Sequence, residues 1–235
     1  MYLKLNKKTV FKKGQKYDFL LPMGLTEQHG AFLPFGTDTF VTEYLVDKIE
    51  KRFKKIVILP MVEYSRSAEH RGFFGTVWLT EETLERVMFD ICNSIKAQAR
   101  NIFIYSFHAN GVYIEKFIKK FSFPNVKIIN LEESDEDDCR FIEKKILKGD
   151  LDGHAGNSEI SNMLVIDKKL VTVPTKKIKK FIVANPWETD NLIERCPNGI
   201  ADNNLDWVVS KKVGQQILDV YEKRLIKNLK GCLDK

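Results

Sequence analysis

Phe19-Leu20-Leu21-Pro22-Met23-Gly24-Leu25-Thr26-Glu27-Gln28-His29-Gly30 passes from an apolar run into a polar loop, which continues to Gly36-Thr37-Asp38. The run Phe19-Leu20-Leu21 reads as a buried strand, and Pro22 and Gly24 mark its end. Just beyond that end stand Glu27, His29 and Asp38. A carboxylate, an imidazole and a second carboxylate at a strand exit form an oxygen and nitrogen ligand set for a divalent metal. The competing reading of the segment alone is a polar loop with one surface histidine.

The other histidines bear on that choice. The chain has four, His29, His70, His108 and His154, each beside Gly or a carboxylate or in a loop-like segment. His108 follows a second apolar run, Asn101-Ile102-Phe103-Ile104-Tyr105-Ser106-Phe107, and precedes the turn signal Asn110-Gly111. In parallel α/β sheets, sites lie at the carboxyl ends of strands, where His29 and His108 both fall. His154 sits in Asp152-Gly153-His154-Ala155-Gly156, ahead of Glu159. The spacing therefore predicts one polar crevice rather than scattered structural histidines.

At 235 residues, with 43% hydrophobic and 30% charged residues, the chain is long enough for a sizeable core and ordinary for a globular protein. One domain over residues 1–235 is expected. No apolar run reaches the length needed to span a bilayer, and Met1-Tyr2-Leu3-Lys4-Leu5-Asn6-Lys7-Lys8 lacks the apolar core of a signal peptide. A cytoplasmic location with no membrane partner is the expectation. Cys92, Cys139, Cys196 and Cys232 are far apart, which excludes C-x-x-C zinc or redox chemistry and leaves reduced thiols. The net charge of +6 suits an anionic partner. Its lysines lie along helix faces, as in Lys116-Phe117-Ile118-Lys119-Lys120, without the interleaved aromatics of a nucleic-acid platform. Most of the lysines read as a solvated surface and no nucleic acid is expected, while a small phosphorylated metabolite stays open as the anionic partner.

Strand-like runs recur at Phe19 to Met23, Ile56 to Leu59, Ile102 to Phe107 and Val126 to Ile129. Helical patterns lie between them. Thr80-Glu81-Glu82 opens one with a capping Thr and acids in the first turn, and Leu84, Val87, Met88, Ile91 and Ile95 mark its apolar face. Thr39 to Lys51 is a second, with Phe40, Tyr44, Leu45 and Ile49 as the buried stripe. Gly111 to Phe121 is a third. Leu205 to Leu229 is a fourth, with Val208, Val209, Val213, Ile217, Leu218 and Val220 inward. The acidic run Glu132 to Asp138 reads as a solvated loop or helix start. Strands alternating with helices predict an α/β fold with a mostly parallel sheet covered on both faces.

With these segments in place, the chain resembles the creatininase (creatinine amidohydrolase) family over roughly Phe19 to Val220. Pro22, Gly24, Glu27, His29, Gly30, Leu33, Pro34, Thr37 and Asp38 are similar to its P-x-G-x-x-E-x-H-G-x-x-L-P-x-x-T-D signature. Ser67-Ala68-Glu69-His70 with Phe74-Gly75-Thr76 resembles its next block. Ser106-Phe107-His108-Ala109-Asn110-Gly111 stands at its N-G-H-G-G-N loop, and His154-Ala155-Gly156-Asn157-Ser158-Glu159-Ile160-Ser161 resembles its H-A-G-x-x-E-T-S helix start.

The resemblance implies a three-layer α/β/α sandwich and a two-metal amidohydrolase site. Glu27 and His108 would hold one metal, His29 the other, and Asp38 would bridge them. Creatininase itself has a Glu ligand where this chain has Asn110. That departure points away from creatininase activity proper. Within the family the chain looks closest to the archaeal formylaminopyrimidine-nucleotide deformylases. These release formate from 2-amino-5-formylamino-6-ribosylaminopyrimidin-4(3H)-one 5′-phosphate, on the way to riboflavin and the deazaflavin coenzyme. The implied cofactor is ferrous iron, with zinc or manganese as alternatives, two ions per subunit.

His154 is the candidate proton shuttle, with Glu159 helping directly or from behind the ligands. Ser67, Glu69, His70 and Asn110 are expected to line the substrate pocket, and Arg66 and Arg71 to meet the substrate phosphate. A homo-oligomer is implied, with Trp78, Trp187 and Trp207 as interface anchors or buried aromatics. Three other readings stay open: another family hydrolase such as creatininase or the mycofactocin-precursor peptidase, a non-enzymatic phosphate- or nucleic-acid-binding module, and a metal-stabilised structural subunit.

Overall fold

The computed structural model describes residues 14–107, 111–131, 136–150, 153–174, 191–204 and 206–233. Within them, β1 (Tyr17–Met23), β2 (Ile56–Ile58), β3 (Ala99–Ser106) and β4 (Lys127–Asn130) form a sheet in the order β2-β1-β3-β4. Each of its strand pairs is parallel. The helices are α1 (Thr37–Arg52), α2 (Glu81–Ile95), α3 (Gly111–Lys120), α4 (Glu136–Phe141), α5 (Asn157–Ile166), α6 (Leu192–Arg195) and α7 (Lys211–Leu233). Ile142–Leu147 extends α4 as a wider, π-helical turn.

From Phe19 onward, β1 shows why its run is apolar without alternation. Successive side chains point to opposite faces, and both faces are covered. Phe19, Leu21 and Met23 pack with Leu84, Met88, Ile114 and Phe117 from α2 and α3. Leu20 packs with Val41, Leu45, Ile160 and Leu218 from α1, α5 and α7. The result is the expected α/β/α arrangement of three layers. All seven residues of β1 are buried. Each fully buried large apolar side chain contributes about 1.5–3 kcal/mol relative to exposure.

The caps and close approaches explain the helix limits. Thr80 caps α2 as expected, its hydroxyl accepting from the Thr83 N–H at 3.2 Å. The C-terminal helix begins later than its apolar pattern implies. Ser210 Oγ accepts from the Val213 N–H at 3.1 Å, so helix starts after Ser210, and Val208 and Val209 precede it. Its inward residues include Ile217, Leu218, Leu225 and Leu229. It also crosses α5 at backbone contact: a Cβ at Gly214 would lie 1.8 Å from the Ser161 carbonyl oxygen. In α1 the buried stripe is turned from the expected one. Val41, Leu45, Val46 and Ile49 are buried, together with the polar Thr37, Asp38 and Thr42, whereas Phe40 and Tyr44 are half-buried. The polar members face the end of the sheet, where the candidate site lies.

The four cysteines are free thiols. Burial pushes the Cys92 thiol up to about 12 and the Cys196 thiol up to about 11, which keeps both protonated and unreactive at neutral pH. No described helix is long and apolar enough to cross a membrane.

Candidate metal centre

The site forms where β1 and β3 end. Thr42 of α1 clamps both exits: its hydroxyl accepts from the Phe107 N–H at 3.1 Å and donates to the Met23 carbonyl at 3.5 Å. Thr39 adds a second clasp, accepting from the Leu25 N–H at 2.9 Å and donating to the Leu25 carbonyl at 2.8 Å. The first turn of α1 is thereby held against the loop after β1. Asp38, in that turn, comes to face His29 with Oδ2 at 3.4 Å from Nε2.

Two distant segments complete the cluster. His154 is held by a reciprocal bridge to Ala201, N–H to carbonyl at 2.8 Å one way and 3.0 Å the other. Ala155 then takes a left-handed backbone (φ 53), unusual for a residue with a side chain. That turn aims its N–H at Glu159 Oε2, 2.6 Å away in the first turn of α5. The same Glu159 oxygen lies 3.7 Å from His29 Nε2. Ser67, Glu69 and His70 form a buried turn on the other side, with His70 Nε2 3.7 Å from Glu27 Oε1.

In their neutral form, two of these histidines have their tautomers set by backbone carbonyls, because a carbonyl can only accept. His29 Nδ1 lies 3.1 Å from the Glu27 carbonyl, so Nδ1 carries the proton and Nε2 offers a lone pair toward Asp38 and Glu159. His154 Nε2 donates to the Gln28 carbonyl at 2.7 Å, so its Nδ1 lone pair faces Glu27 Oε1 at 3.7 Å. A histidine whose far nitrogen is tied to a carbonyl is the usual arrangement around a metal.

The donors fall into two overlapping groups. Glu27, His29 and His154 form one, and His29, Asp38 and Glu159 the other, with the ligating atoms of each within 4.8 Å of one another. Burial is the first cause holding the Glu27 carboxyl well above its ordinary range, and the negative charges of Asp38, Glu69 and Glu159 add to it. The Ser67 hydroxyl acts in the opposite direction. Carboxylates gathered in a dry pocket repel one another unless a cation or protons neutralise them. The donor set of buried oxygens and two imidazole lone pairs suits a divalent ion such as zinc, manganese or iron.

The expected site residues separate as follows. Glu27, His29, Asp38, His154 and Glu159 meet in one cluster, and Ser67, Glu69 and His70 border it. Arg66 is half-buried, ion-paired to Glu69, and lies over the Tyr113 ring at 5.2 Å. Arg71 is exposed. His108 and Asn110 lie outside the described residues, as does Trp187. Trp207 packs edge-on against Phe32 at 5.5 Å and so belongs with the core aromatics. Sequence reasoning passed over Gln28, whose position between two ligand types was its only signal.

The family described as creatinine amidohydrolase matches residues 8–229. A mycofactocin precursor peptide peptidase of Mycolicibacterium smegmatis is 33% identical over 98 residues, 40% of this chain and 40% of that protein. Its counterpart in Mycobacterium tuberculosis is 28% identical over 102 residues, 40% of this chain and 41% of that protein. The similarity thus spans about two fifths of the length of these relatives. Among solved structures, a creatininase variant complexed with creatine superposes with a TM-score of 0.71 at 19% identity, covering 97% of this chain and 96% of that one. A manganese creatininase gives 0.69 at 20% identity, covering 93% and 91%. These structures share the fold. With most of its length matched, the chain belongs to the creatininase family.

Proposed function

We propose that this chain is a metal-dependent hydrolase of C–N amide bonds. The observation that carries the reading is the pair of overlapping donor groups, joined at His29 and backed by buried carboxylates. Glu27, His29, Asp38 and Glu159 would hold divalent metal, with His108 as a further ligand from the resemblance. Zinc and manganese fit this set, and ferrous iron fits it equally by donor chemistry. A bound ion supplies Lewis acidity and lowers the pKa of its water toward neutrality.

The chain's own groups do the rest. His154 Nδ1 faces the cluster with a lone pair, placed to take the proton from the attacking water. The water oxygen bonds to the carbonyl carbon, the C–N bond breaks, and His154 returns the proton to the departing nitrogen. Arg66, ion-paired to Glu69 beside the cluster, offers a guanidinium that matches phosphate geometry.

The finer reading is the formamide of 2-amino-5-formylamino-6-ribosylaminopyrimidin-4(3H)-one 5′-phosphate, cleaved to formate. Support comes from the ligand types of the first signature, from Asn110 in place of a Glu, and from Arg66, ion-paired to Glu69 at the border of the cluster. A second reading, cleavage of a peptide bond in a small precursor peptide, is favoured by the similarity to the mycofactocin peptidases. Anaerobic reconstitution with iron, manganese or zinc, followed by assays for formate release and for peptide cleavage, separates the two. Formate from the nucleotide supports the first. Peptide cleavage without formate supports the second, neither product with any ion sinks both substrates but leaves the hydrolase class standing, and unchanged metal content in Glu27→Ala and His108→Ala would refute the site.

The assembly reading is a homo-oligomer. Phe74 is 90% exposed and Phe35 40%, their rings edge-on at 6.1 Å, with Trp78 also exposed nearby in sequence. Exposed aromatics of this size mark contact surfaces.

A further inference from the structure

We infer that Gln28 sets the tautomer of His70, so that His70 turns an N–H toward Glu27 and positions its carboxylate electrostatically, serving neither as a ligand nor as a proton acceptor. The inference rests on the proposed role of Glu27 in holding metal.

Two backbone groups of fixed polarity orient the Gln28 side chain. The Gly30 N–H donates to Gln28 Oε1 at 2.9 Å, which places the amide oxygen on that side. The Gly199 carbonyl accepts from Gln28 Nε2 at 3.5 Å, which places the amide nitrogen on the other. A reversed amide would set N–H against N–H and oxygen against oxygen in a buried slot. The slot has no slack, because a Cβ at Gly199 would lie 1.8 Å from Gln28 Oε1. Gly199 also has φ 72, where glycine is at ease.

With its orientation settled, Gln28 Nε2 donates to His70 Nδ1 at 3.0 Å. His70 Nδ1 must then be the acceptor, and its proton sits on Nε2. That N–H points toward Glu27 Oε1 at 3.7 Å, an electrostatic contact longer than a hydrogen bond. The opposite tautomer would turn a lone pair onto the carboxylate and push it away.

His154 makes the contrast. Its Nδ1 stands at the same 3.7 Å from the same Glu27 oxygen, but presents a lone pair. A cation or proton fits between Glu27 and His154, and none is required between Glu27 and His70. The rings of His29 and His154, and of His154 and His70, lie 4.3 Å apart, so three neighbouring imidazoles are sorted into two acceptors and one donor. The Glu27-Gln28 pair does the sorting. The Glu27 carbonyl sets His29, the Gln28 carbonyl sets His154, and the Gln28 side chain sets His70.

The test reads tautomers directly. Long-range proton–nitrogen correlation spectra of the ¹⁵N-labelled, ion-free protein resolve its four imidazoles. His70 is expected protonated at Nε2 alone. Gln28→Leu is expected to remove that preference and weaken Mn²⁺ binding, measured by titration calorimetry, by roughly 10–100-fold. His70→Gln, which keeps a donor, should bind Mn²⁺ more tightly than His70→Ala. An Nδ1–H tautomer in the unaltered protein overturns the inference, and so does unchanged Mn²⁺ affinity in folded Gln28→Leu. If the unaltered protein binds no Mn²⁺, Zn²⁺ or Fe²⁺, the hydrolase reading fails, and the tautomer measurement alone decides this one.

Discussion

Asp18 and Glu27 are both buried carboxylates, one near the start of β1 and one in the loop that leaves it, yet the fold treats them oppositely. Asp18, 3% exposed, accepts from Arg100 Nε at 2.9 Å and Asn101 Nδ2 at 2.8 Å, and pairs with the second Arg100 nitrogen. Glu27, fully buried, has Asp38, Glu69 and Glu159 close enough to raise its hold on a proton. The first is a structural charge neutralised by its own chain. The second sits among groups of its own sign, and a pocket of that kind is stable only when a cation or protons enter it. Perturbed carboxylates in a buried cluster mark function for this reason.

Removing charge from the two ends of the strand should therefore give opposite results. Glu27→Gln and Asp38→Asn are expected to abolish hydrolysis and cut bound metal, measured by elemental analysis. Their ion-free melting temperature at neutral pH should hold or rise, because a repulsive charge has gone. Unfolding of both variants would favour a metal-stabilised structural subunit instead. His154→Ala is the next largest effect: kcat should fall about 10²–10⁴-fold with metal content kept. Loss of metal in that variant would make His154 a ligand. At the other end of β1, Arg100→Ala should cost roughly 1–3 kcal/mol in denaturant unfolding, since it leaves a buried carboxylate short of donors. Because Arg100 is itself 63% exposed, its charge is partly screened and the lower part of that range applies. Turnover of the folded Arg100→Ala enzyme should be unchanged.

The smallest effect is a slope with pH. Glu27 holds its proton more tightly folded than unfolded. Its contribution to stability is complete below the ordinary value of 4.5 and is lost as pH rises through the raised folded value. Ion-free protein should therefore lose stability on that rise, and saturating divalent metal should flatten the trend. A stability that climbs over the same interval in ion-free protein would contradict the carboxylate cluster. Metal affinity should show the reverse dependence, because binding displaces the Glu27 proton.

Much of the fold was legible because it follows from local pattern. The doubly covered sheet follows from the unalternating apolar run at Phe19 to Leu21, and the start of α2 from Thr80 and the acids after it. Patterns failed where a tertiary partner competed. Val208 and Val209 look like part of a helix, but Ser210 caps the helix after them. Phe40 and Tyr44 look like the buried stripe of α1, but the helix turns to bring Asp38 and Thr42 to the strand ends. Of the site, the ligand types at Glu27, His29 and Asp38 could be read from spacing. The donor role of His70 could not, since it depends on Gln28, 42 residues away.

The amino-acid sequence by itself determined which strands are buried on both faces and which residues bring ligand chemistry to a strand exit, because periodicity and residue type are local properties. Only the tertiary structure decided how that chemistry is divided. His154 meets the Gln28 carbonyl across 126 residues of chain, and Glu159 reaches His29 only because the left-handed turn at Ala155 folds back on α5. A histidine's proton goes to whichever nitrogen faces an acceptor, and in this protein each acceptor or donor is supplied by the packed fold around Glu27 and Gln28.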